Sequence, residues 1–223
     1  MVSPAPSKPA RYFLLAVVVA ALAAWAYLGK GGIRDHVVPR NFGVVEEGHV
    51  YRAAALTPTT LRQVHAEHGI KTIIDLGGFD VDPRGEALSQ RTAESLGITR
   101  YVFPLSGDGT GNPNAYVAAL RVLADERNHP VLVHCSAGAQ RTSGCIVLYR
   151  DVIQLRDNAE ARREAFGFRH DPRDNPRLFE YLDDWQEKIK RAFRAGVDAQ
   201  VPGQQPVEVR PHTPPSNGGA ESR

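Results

Sequence analysis

The nine residues HCSAGAQRT, at positions 134–142, carry more information about this chain than any other stretch. They place Cys135 and Arg141 six positions apart, after a short apolar strand pattern over 130–133 and before a helical pattern that begins at Ser143. Backbone N–H groups between a strand and a helix can turn toward an oxyanion, and the start of the helix adds partial positive charge. The stretch therefore predicts an anion-binding loop that contains a cysteine.

The residue types in this loop suit attack on a phosphate ester. A positive field favours the thiolate form of a cysteine such as Cys135, and the thiolate is the true nucleophile. The planar guanidinium of Arg141 can hold two phosphate oxygens at once. Gly138 lets the backbone approach a ligand without a Cβ in the way, and Thr142 can donate its hydroxyl to the sulfur. Together they predict a phosphatase that works through a cysteinyl-phosphate intermediate.

The pattern His-Cys-x-x-Gly-x-x-Arg-Thr resembles the signature of the cysteine-dependent protein tyrosine phosphatase superfamily. The runs 41–52, 69–76 and 128–135 are similar to its atypical dual-specificity branch, and the resemblance covers roughly residues 40 to 190. It implies a protein tyrosine phosphatase-like fold, with Cys135 as nucleophile and Arg141 as phosphate ligand. It also implies that His134 orders the loop and that the substrate phosphate is cradled by Ser136, Ala137, Gly138, Ala139, Gln140 and Arg141.

Strand and helix patterns alternate between residues 40 and 195. The run 71–76 is apolar and β-branched, as expected of a strand, and Thr57 and Pro58 give an N-cap and first-turn proline to a helix that Gly69 ends. Such alternation with glycine-marked turns predicts an α/β domain, with a mostly parallel central sheet flanked by helices. A ligand loop then lies at the carboxyl end of a strand.

A cysteine phosphatase also needs an acid that protonates the leaving oxygen. We predict that Asp108 has this role, because it lies in the glycine-rich run SGDGTG (106–111) directly after a strand pattern. In the resembled family the acid occupies a loop in this place. Asp80 and Asp82, in the loop 77–83, are alternative acids. Asp75 ends a strand, and a buried structural bond is the expected use of its carboxylate.

The substrate is open on sequence alone. The five residues between the cysteine and the arginine include no cation, which favours phosphotyrosine, or mixed phosphotyrosine, phosphoserine and phosphothreonine, in proteins. Part of the resembled branch hydrolyses inositol pyrophosphates, so an inositol phosphate or pyrophosphate is the alternative substrate. A phosphate-binding module without catalysis is the alternative of another class, and its usual sign is the loss of the cysteine or the arginine.

Other classes of site find little support in the composition. With 27 basic and 25 acidic residues the net charge is +2, which gives no indication of a nucleic-acid partner. His65 and His68 lie one helical turn apart but have no evident third ligand, so we predict no metal site and no cofactor. Cys145 lies in an apolar helical pattern and is predicted to be a core thiol rather than a redox partner of Cys135.

The two ends of the chain differ from the central domain. Residues 1–11 form a basic segment, and the uncharged run 12–28 is predicted to be a single-pass transmembrane helix, with a cleaved signal peptide and a core helix as the alternatives. Residues 29–39 form a linker, and a catalytic domain is predicted over 40–195. The cationic start favours an extracytoplasmic position for that domain. Residues 196–223, rich in Pro and Gly, are predicted to be disordered.

Overall fold

Five strands form one mixed sheet in the order β1-β2-β5-β3-β4. The strands are β1 (Gly43–Glu46), β2 (Val50–Ala54), β3 (Thr72–Asp75), β4 (Thr99–Val102) and β5 (Val131–Cys135). β1 pairs antiparallel with β2, and the other three pairings are parallel. The predicted mostly parallel sheet is therefore confirmed, and the antiparallel edge strand β1 is a feature that the sequence did not reveal.

The computed structural model describes residues 12–13, 15–20, 23–24 and 34–212. Helices cover both faces of the sheet. Three of them begin in the same way, with a side-chain N-cap (Thr57, Asp82 or Asn112) followed by a proline, whose missing N–H costs nothing at the first helical position. From residue 34 onward the helices are α1 (Arg34–Val37), α2 (Pro58–His68), α3 (Pro83–Ser95), α4 (Pro113–Ala124), α5 (Gln140–Val152), α6 (Asn158–Phe166) and α7 (Arg177–Arg194).

The core is divided by the sheet into two apolar clusters. Successive residues of β5 alternate between them, so that Val131 and Val133 belong to the larger cluster with α4, α5 and α7, whereas Leu132 belongs to the smaller cluster with α2. All five residues of β5 are buried. A strand that is covered on both faces is apolar throughout, which is why the run before Cys135 shows no polar alternation.

Much of the predicted membrane segment lies outside the described residues. Of the run 12–28, positions 14, 21–22 and 25–28 are not described, nor are 1–11 and 29–33 of the neighbouring segments. Within the described ranges, no helix combines the length and the apolar character that a membrane crossing requires.

Residues 196–212, which we call the C-terminal strap, lie against the domain in this structure, whereas the sequence predicts disorder from residue 196. Val201 is buried, and its amide donates to Asn114 Oδ1 at 2.7 Å. The side-chain amides of Asn112 and Asn114 both donate to the carbonyl of Gln205. Polar contacts to the backbone thus hold a segment whose apolar content is too low to predict order. Residues 213–223 lie outside the described part of the chain.

Candidate active site

The predicted anion-binding loop lies at the centre of the sheet, where parallel strands end together. Cys135 is the last residue of β5 and is paired in register with Ala54 of β2, while His134 pairs with Asp75 of β3. The chain then forms a loop and enters α5 at Gln140, three residues earlier than the sequence pattern indicated. No side chain caps the start of α5, so its first amides remain available to an anion.

The carbonyl groups of this catalytic loop (135–141) are held from outside by side chains of another segment. Arg40 Nη2 donates to the carbonyl of Ser136 at 2.5 Å. Asn41 Nδ2 donates to the carbonyls of Ala137 and Gly138 at 3.1 and 2.9 Å. Since C=O and N–H point in opposite directions in a trans peptide, fixing these carbonyls outward turns the next amides inward. The geometry suits a cradle for an oxyanion.

Arg52 completes this support from beneath the loop. Its Nη2 donates to the Gly138 carbonyl at 2.9 Å and to Ser143 Oγ at 2.8 Å, and its guanidinium stacks on the Phe168 ring at 3.8 Å. Burial lowers the pKa of Arg52 to about 10, which leaves it charged at neutral pH. Sequence reasoning missed Arg40, Asn41 and Arg52; the only available signal was that two of them begin and end the run 41–52 used for the family resemblance.

Gly138 is also required for packing, in addition to the predicted approach to a ligand. Its φ is +68°, and a Cβ at this position would lie 2.6 Å from the backbone of Ala53 and Ala54 in β2. The absent side chain therefore allows the loop to pack on the neighbouring strand. Ser136 and Ala137 are exposed, and Ala139 is buried with Gly138. The Gln140 side chain turns away to His170, whose Nδ1 is 2.5 Å from Gln140 Oε1.

The Arg141 guanidinium is held along one edge only. Its Nη1 donates to the carbonyls of Leu76 (3.3 Å) and Gly77 and to Asp80 Oδ2 (2.5 Å). Its Nε is buried and has no hydrogen-bond partner among the described residues. An oxyanion that bound along this second edge would satisfy that donor. Asp80 is thus placed as a partner of the arginine, and Asp82 caps α3 through Gly85 N.

His134 and Thr142, which belong to the same sequence motif as Cys135, are both buried. Burial lowers the pKa of His134 and outweighs the opposing effect of Asp75, whose Oδ2 lies 3.6 Å from His134 Nε2. Burial thus favours the neutral imidazole. Thr142 Oγ1 is buried without a partner among the described residues, which leaves its hydroxyl hydrogen available for the predicted bond to the sulfur.

Asp108 lies in a loop that packs against the start of α5. The Tyr116 hydroxyl donates to the Gly109 carbonyl at 2.7 Å, and a Cβ on Gly109 would be 3.4 Å from the backbone of Gln140. Asp108 Oδ1 accepts from the amide and the hydroxyl of Thr110, and Oδ2 pairs with Arg177 Nη1 at 3.3 Å. Burial alone would raise the pKa of Asp108, but the Thr110 bonds and Arg177 lower it. The free protein therefore favours the carboxylate over the acid.

The structure also shows the surroundings of Cys145, His65 and His68. Burial raises the pKa of Cys145 to about 12, as expected of a core thiol. His65 Nδ1 lies 2.9 Å from the Ile70 carbonyl, and the His68 ring packs on Tyr51. Among the residues that the structure describes, no cluster of three or more His, Cys, Asp or Glu could hold a metal ion.

Comparison with known proteins gives a family and a set of relatives. A family model described as DSP-PTPase phosphatase fused to NAD+ kinase matches residues 32–175. The chain is 34% identical over 114 residues to inositol diphosphatase DSP3 of Arabidopsis thaliana, covering 49% of this chain and 52% of that protein. It is 33% identical over 117 residues to inositol diphosphatase DSP1 of Oryza sativa subsp. japonica, covering 50% and 49%. The chain spans about half the length of the curated relatives it matches.

Solved structures share the fold. The core catalytic domain of the PP-IP phosphatase SIW14 from S. cerevisiae aligns with a TM-score of 0.55 and 24% identity, covering 70% of this chain and 92% of that one. TpbA of P. aeruginosa aligns with a TM-score of 0.57 and 23% identity, covering 70% and 91%. These likenesses confirm the protein tyrosine phosphatase-like α/β fold.

Proposed function

Since the chain belongs to the family described as DSP-PTPase phosphatase fused to NAD+ kinase, we propose that it is a cysteine-dependent phosphatase acting on inositol phosphates or pyrophosphates. The observation that carries the proposal is the catalytic loop, which combines Cys135, outward-held carbonyls and an arginine with one unused edge. The names of the plant relatives support the substrate class.

The chemistry follows from these positions. The Cys135 thiolate attacks phosphorus, the bond to the leaving oxygen breaks, and Asp108 delivers a proton to that oxygen. Arg141 and the inward amides bind the equatorial oxygens, which carry the charge of the transition state. Water then attacks the cysteinyl phosphate, Asp108 takes the proton of that water, and the sulfur leaves as a thiolate stabilised by the Thr142 hydroxyl. Inorganic phosphate is the product.

A polyphosphorylated substrate needs cations beyond Arg141, because residues 136–140 contribute none. Two arginines lie beside the loops that carry the reacting groups. Arg40 contacts the Ser136 carbonyl with a side chain that is 37% exposed, and Arg177 contacts Asp108 with one that is 73% exposed. Arg177 can turn toward phosphates that are not being cleaved, and Arg40 can offer them its other N–H groups while its Nη2 stays on the Ser136 carbonyl. They supply the charge that the loop lacks.

Phosphotyrosine in proteins is the second candidate substrate. The specific observation in its favour is the uncharged stretch 136–140, in which only Ser136 and Ala137 are exposed. A single phosphate on an aromatic ring requires Arg141 and the amide cradle but no further cation.

A side-by-side assay tests these assignments. The purified full-length chain is given a diphosphoinositol polyphosphate, phosphotyrosine peptides and p-nitrophenyl phosphate, and the kcat/KM values are compared. We expect the inositol pyrophosphate to be cleaved with the highest kcat/KM. Arg40→Gln and Arg177→Gln should each lower that value while changing the value for p-nitrophenyl phosphate less.

Arg127→Gln is the matched control. Arg127 is also exposed and paired with an aspartate, but it precedes β5 and so lies near the amino-terminal ends of the parallel strands, opposite the catalytic loop. Faster cleavage of a phosphotyrosine peptide than of the pyrophosphate would reverse the substrate assignment. Tight binding of phosphate groups without turnover of any substrate would favour the non-catalytic binding module.

Attachment to a membrane through residues 12–28, with the catalytic domain on the extracytoplasmic side, is a second proposal, and it rests on the uncharged sequence of that run. Fractionation of the expressed full-length chain should find it in membranes, resistant to salt and released by detergent. Recovery of the uncut chain in the soluble fraction would refute the anchor, and protease access to the C-terminus in intact cells would test the side.

A further inference from the structure

A buried carboxylate lies behind the catalytic loop and takes no part in the chemistry proposed above. Asp75, at the end of β3, is 1% exposed. Its Oδ1 accepts from the amides of Gly77 and Gly78 at 2.9 and 2.5 Å, and its Oδ2 accepts from Arg100 Nη2 at 2.5 Å. The structural bond expected from the sequence is therefore present. The atoms that it fixes lie in the turn that holds the catalytic arginine.

The turn at residues 76–78 links this carboxylate to Arg141. The carbonyls of Leu76 and Gly77 accept from Arg141 Nη1, while the Leu76 amide donates to the carbonyl of His134 at 3.0 Å. Both glycines of this turn are difficult to replace. Gly77 has a φ of +89°, which favours glycine, and a Cβ on Gly78 would lie 2.9 Å from the His134 ring. A shift of this turn would therefore move both the arginine and the residue before the nucleophile.

Arg100 holds Asp75 in place from the other side. Its side chain is fully buried, and it donates to Glu86 through Nη1 and Nη2, both at 2.6 Å, as well as to Asp75. Gln90 Oε1 accepts from Nη1 at 3.2 Å. The His212 amide of the C-terminal strap donates to the Arg100 carbonyl, and His212 Nε2 lies 3.4 Å from Glu86. A planar fork is needed to bridge two carboxylates in this way.

We propose that Asp75, held by Arg100, is a positioning residue that fixes the turn 76–78 so that Arg141 presents its free edge to the phosphate. The proposal rests on the proposed phosphatase function. Arg141 Nη1 is fully used by the turn, by Asp80 and by the Leu105 carbonyl, so these acceptors set the direction of the remaining edge. A misplacement of about 1 Å in such a site costs about 10²-fold in rate.

A purely structural role is the competing explanation, and it makes a different prediction. A buried ion pair is weak evidence of stabilisation, yet removing one partner is strongly destabilising because the other charge is left unpaired. Asp151 offers a matched comparison on α5, since it is also buried and accepts from Lys190 at 2.8 Å and from Gln186 at 2.9 Å. If burial and pairing alone mattered, variants at Asp75 and Asp151 would have the same consequences.

The test uses Asp75→Ala, Asp75→Asn and Asp151→Asn in the full-length chain, at a temperature where circular dichroism shows each to be folded. Tungstate serves as the phosphate mimic, and its Kd is measured by calorimetry and by protection of Cys135 from iodoacetate. Asp75→Ala should weaken tungstate binding by about tenfold or more and lower kcat by about 10²-fold. Asp75→Asn should have a smaller effect, because its amide oxygen can still accept from Gly77 and Gly78.

Asp151→Asn should lower the melting temperature but leave the tungstate Kd unchanged. Wild-type tungstate binding in a folded Asp75→Ala protein would overturn the proposal. If the Asp75 variants do not fold, Arg100→Lys replaces them, because a single ammonium cannot bridge Asp75 and Glu86. This variant should weaken tungstate binding at least about threefold. An unchanged Kd would likewise overturn the proposal. Tungstate binding does not require turnover, so failure of the wild type to hydrolyse any substrate would refute the proposed function alone.

Discussion

The catalytic loop and the loop that carries Asp108 lie against each other but are held by different kinds of contact. In the catalytic loop, side chains from a distant segment, Arg40, Asn41 and Arg52, bind successive carbonyls. In the loop 106–111 the carboxylate is bound mainly by its neighbour Thr110, and Arg177 adds an exposed ion pair. In the second loop the backbone is also held by the fold, through the hydroxyls of Tyr116 and Tyr181, but the Asp108 carboxylate is bound chiefly within its own loop.

The difference indicates where the free protein is already prepared for catalysis. The cradle and the unused edge of Arg141 need no rearrangement to receive a phosphate, which is the arrangement expected of electrostatic preorganisation. Asp108 is in the opposite condition, because its present contacts lower its pKa and so disfavour the protonated form that a general acid needs. The proposed acid role therefore requires Asp108 to exchange these contacts when substrate binds.

The largest effect is expected from the nucleophile. Cys135→Ser should reduce hydrolysis of p-nitrophenyl phosphate to background, because a serine hydroxyl is essentially un-ionised at neutral pH. Tungstate binding should persist, since the cradle of amides is unchanged. Arg141→Lys should impair both binding and turnover, because the two-pronged guanidinium is lost. Substantial activity in the serine variant would refute the covalent mechanism.

Asp108→Asn should have the next largest effect, and it tests the second loop. Turnover should fall by about 10²–10⁴-fold for substrates with poor leaving groups and by less for p-nitrophenyl phosphate, which needs little protonation. Asp82→Asn is the matched control: the asparagine oxygen can still cap α3 by accepting from Gly85 N, and the change should not alter the dependence on leaving group. An equal loss for all leaving groups would exclude Asp108 as the acid.

Gly138→Ala tests whether the first loop is as closely fitted as its contacts indicate. We expect a loss of about 1–3 kcal/mol in the free energy of unfolding from backbone strain, with a further loss from the clash with β2, and weaker tungstate binding. Gly48→Ala is a matched control, because Gly48 has a φ of +75° and no atom within 4 Å of the added Cβ. Equal losses of stability in urea titrations would show that the loop accommodates the methyl group.

The smallest effect is expected at Arg177. Its charge lowers the pKa of Asp108, so Arg177→Gln should raise that pKa. Because the acid must be protonated, activity falls as pH rises through its pKa, and the alkaline limb of kcat/KM for a phosphotyrosine peptide, whose leaving group needs protonation, should move to higher pH. The shift should be modest and should diminish in salt, since Arg177 is exposed. Arg127→Gln is the control and should leave the alkaline limb unchanged. If the limb does not move in Arg177→Gln either, the charge of Arg177 has no effect on the pKa of the acid.

The sequence predicted the parts of the site that are local in the chain. The strand, loop and helix around Cys135 follow from an apolar run, small residues and a helical pattern that are contiguous. Asp108 and the core position of Cys145 could be located for the same reason. These features depend on residues that are near one another in sequence.

The remainder depends on pairing between distant segments. Arg52 and Gly138 are 86 positions apart, and only the register of β2 against β5 brings them together. The partnership of Arg141 with Asp80 depends likewise on the turn after β3. The antiparallel strand β1 is short, and the strap is held by side-chain amides, so neither has an apolar pattern that a single sequence would reveal.

The long helix α7 extends the folding unit of this chain beyond the family match. It begins after residue 175, where the family match stops, yet Leu178, Leu182 and Ile189 are completely buried in the core shared with α4. A fragment trimmed to the matched residues would lack α7, and the apolar surface of α4 that this helix covers would be exposed to water and prone to aggregation. The inherited family unit and the cooperative folding unit therefore have different boundaries, and recombination at the first boundary would cut through the second.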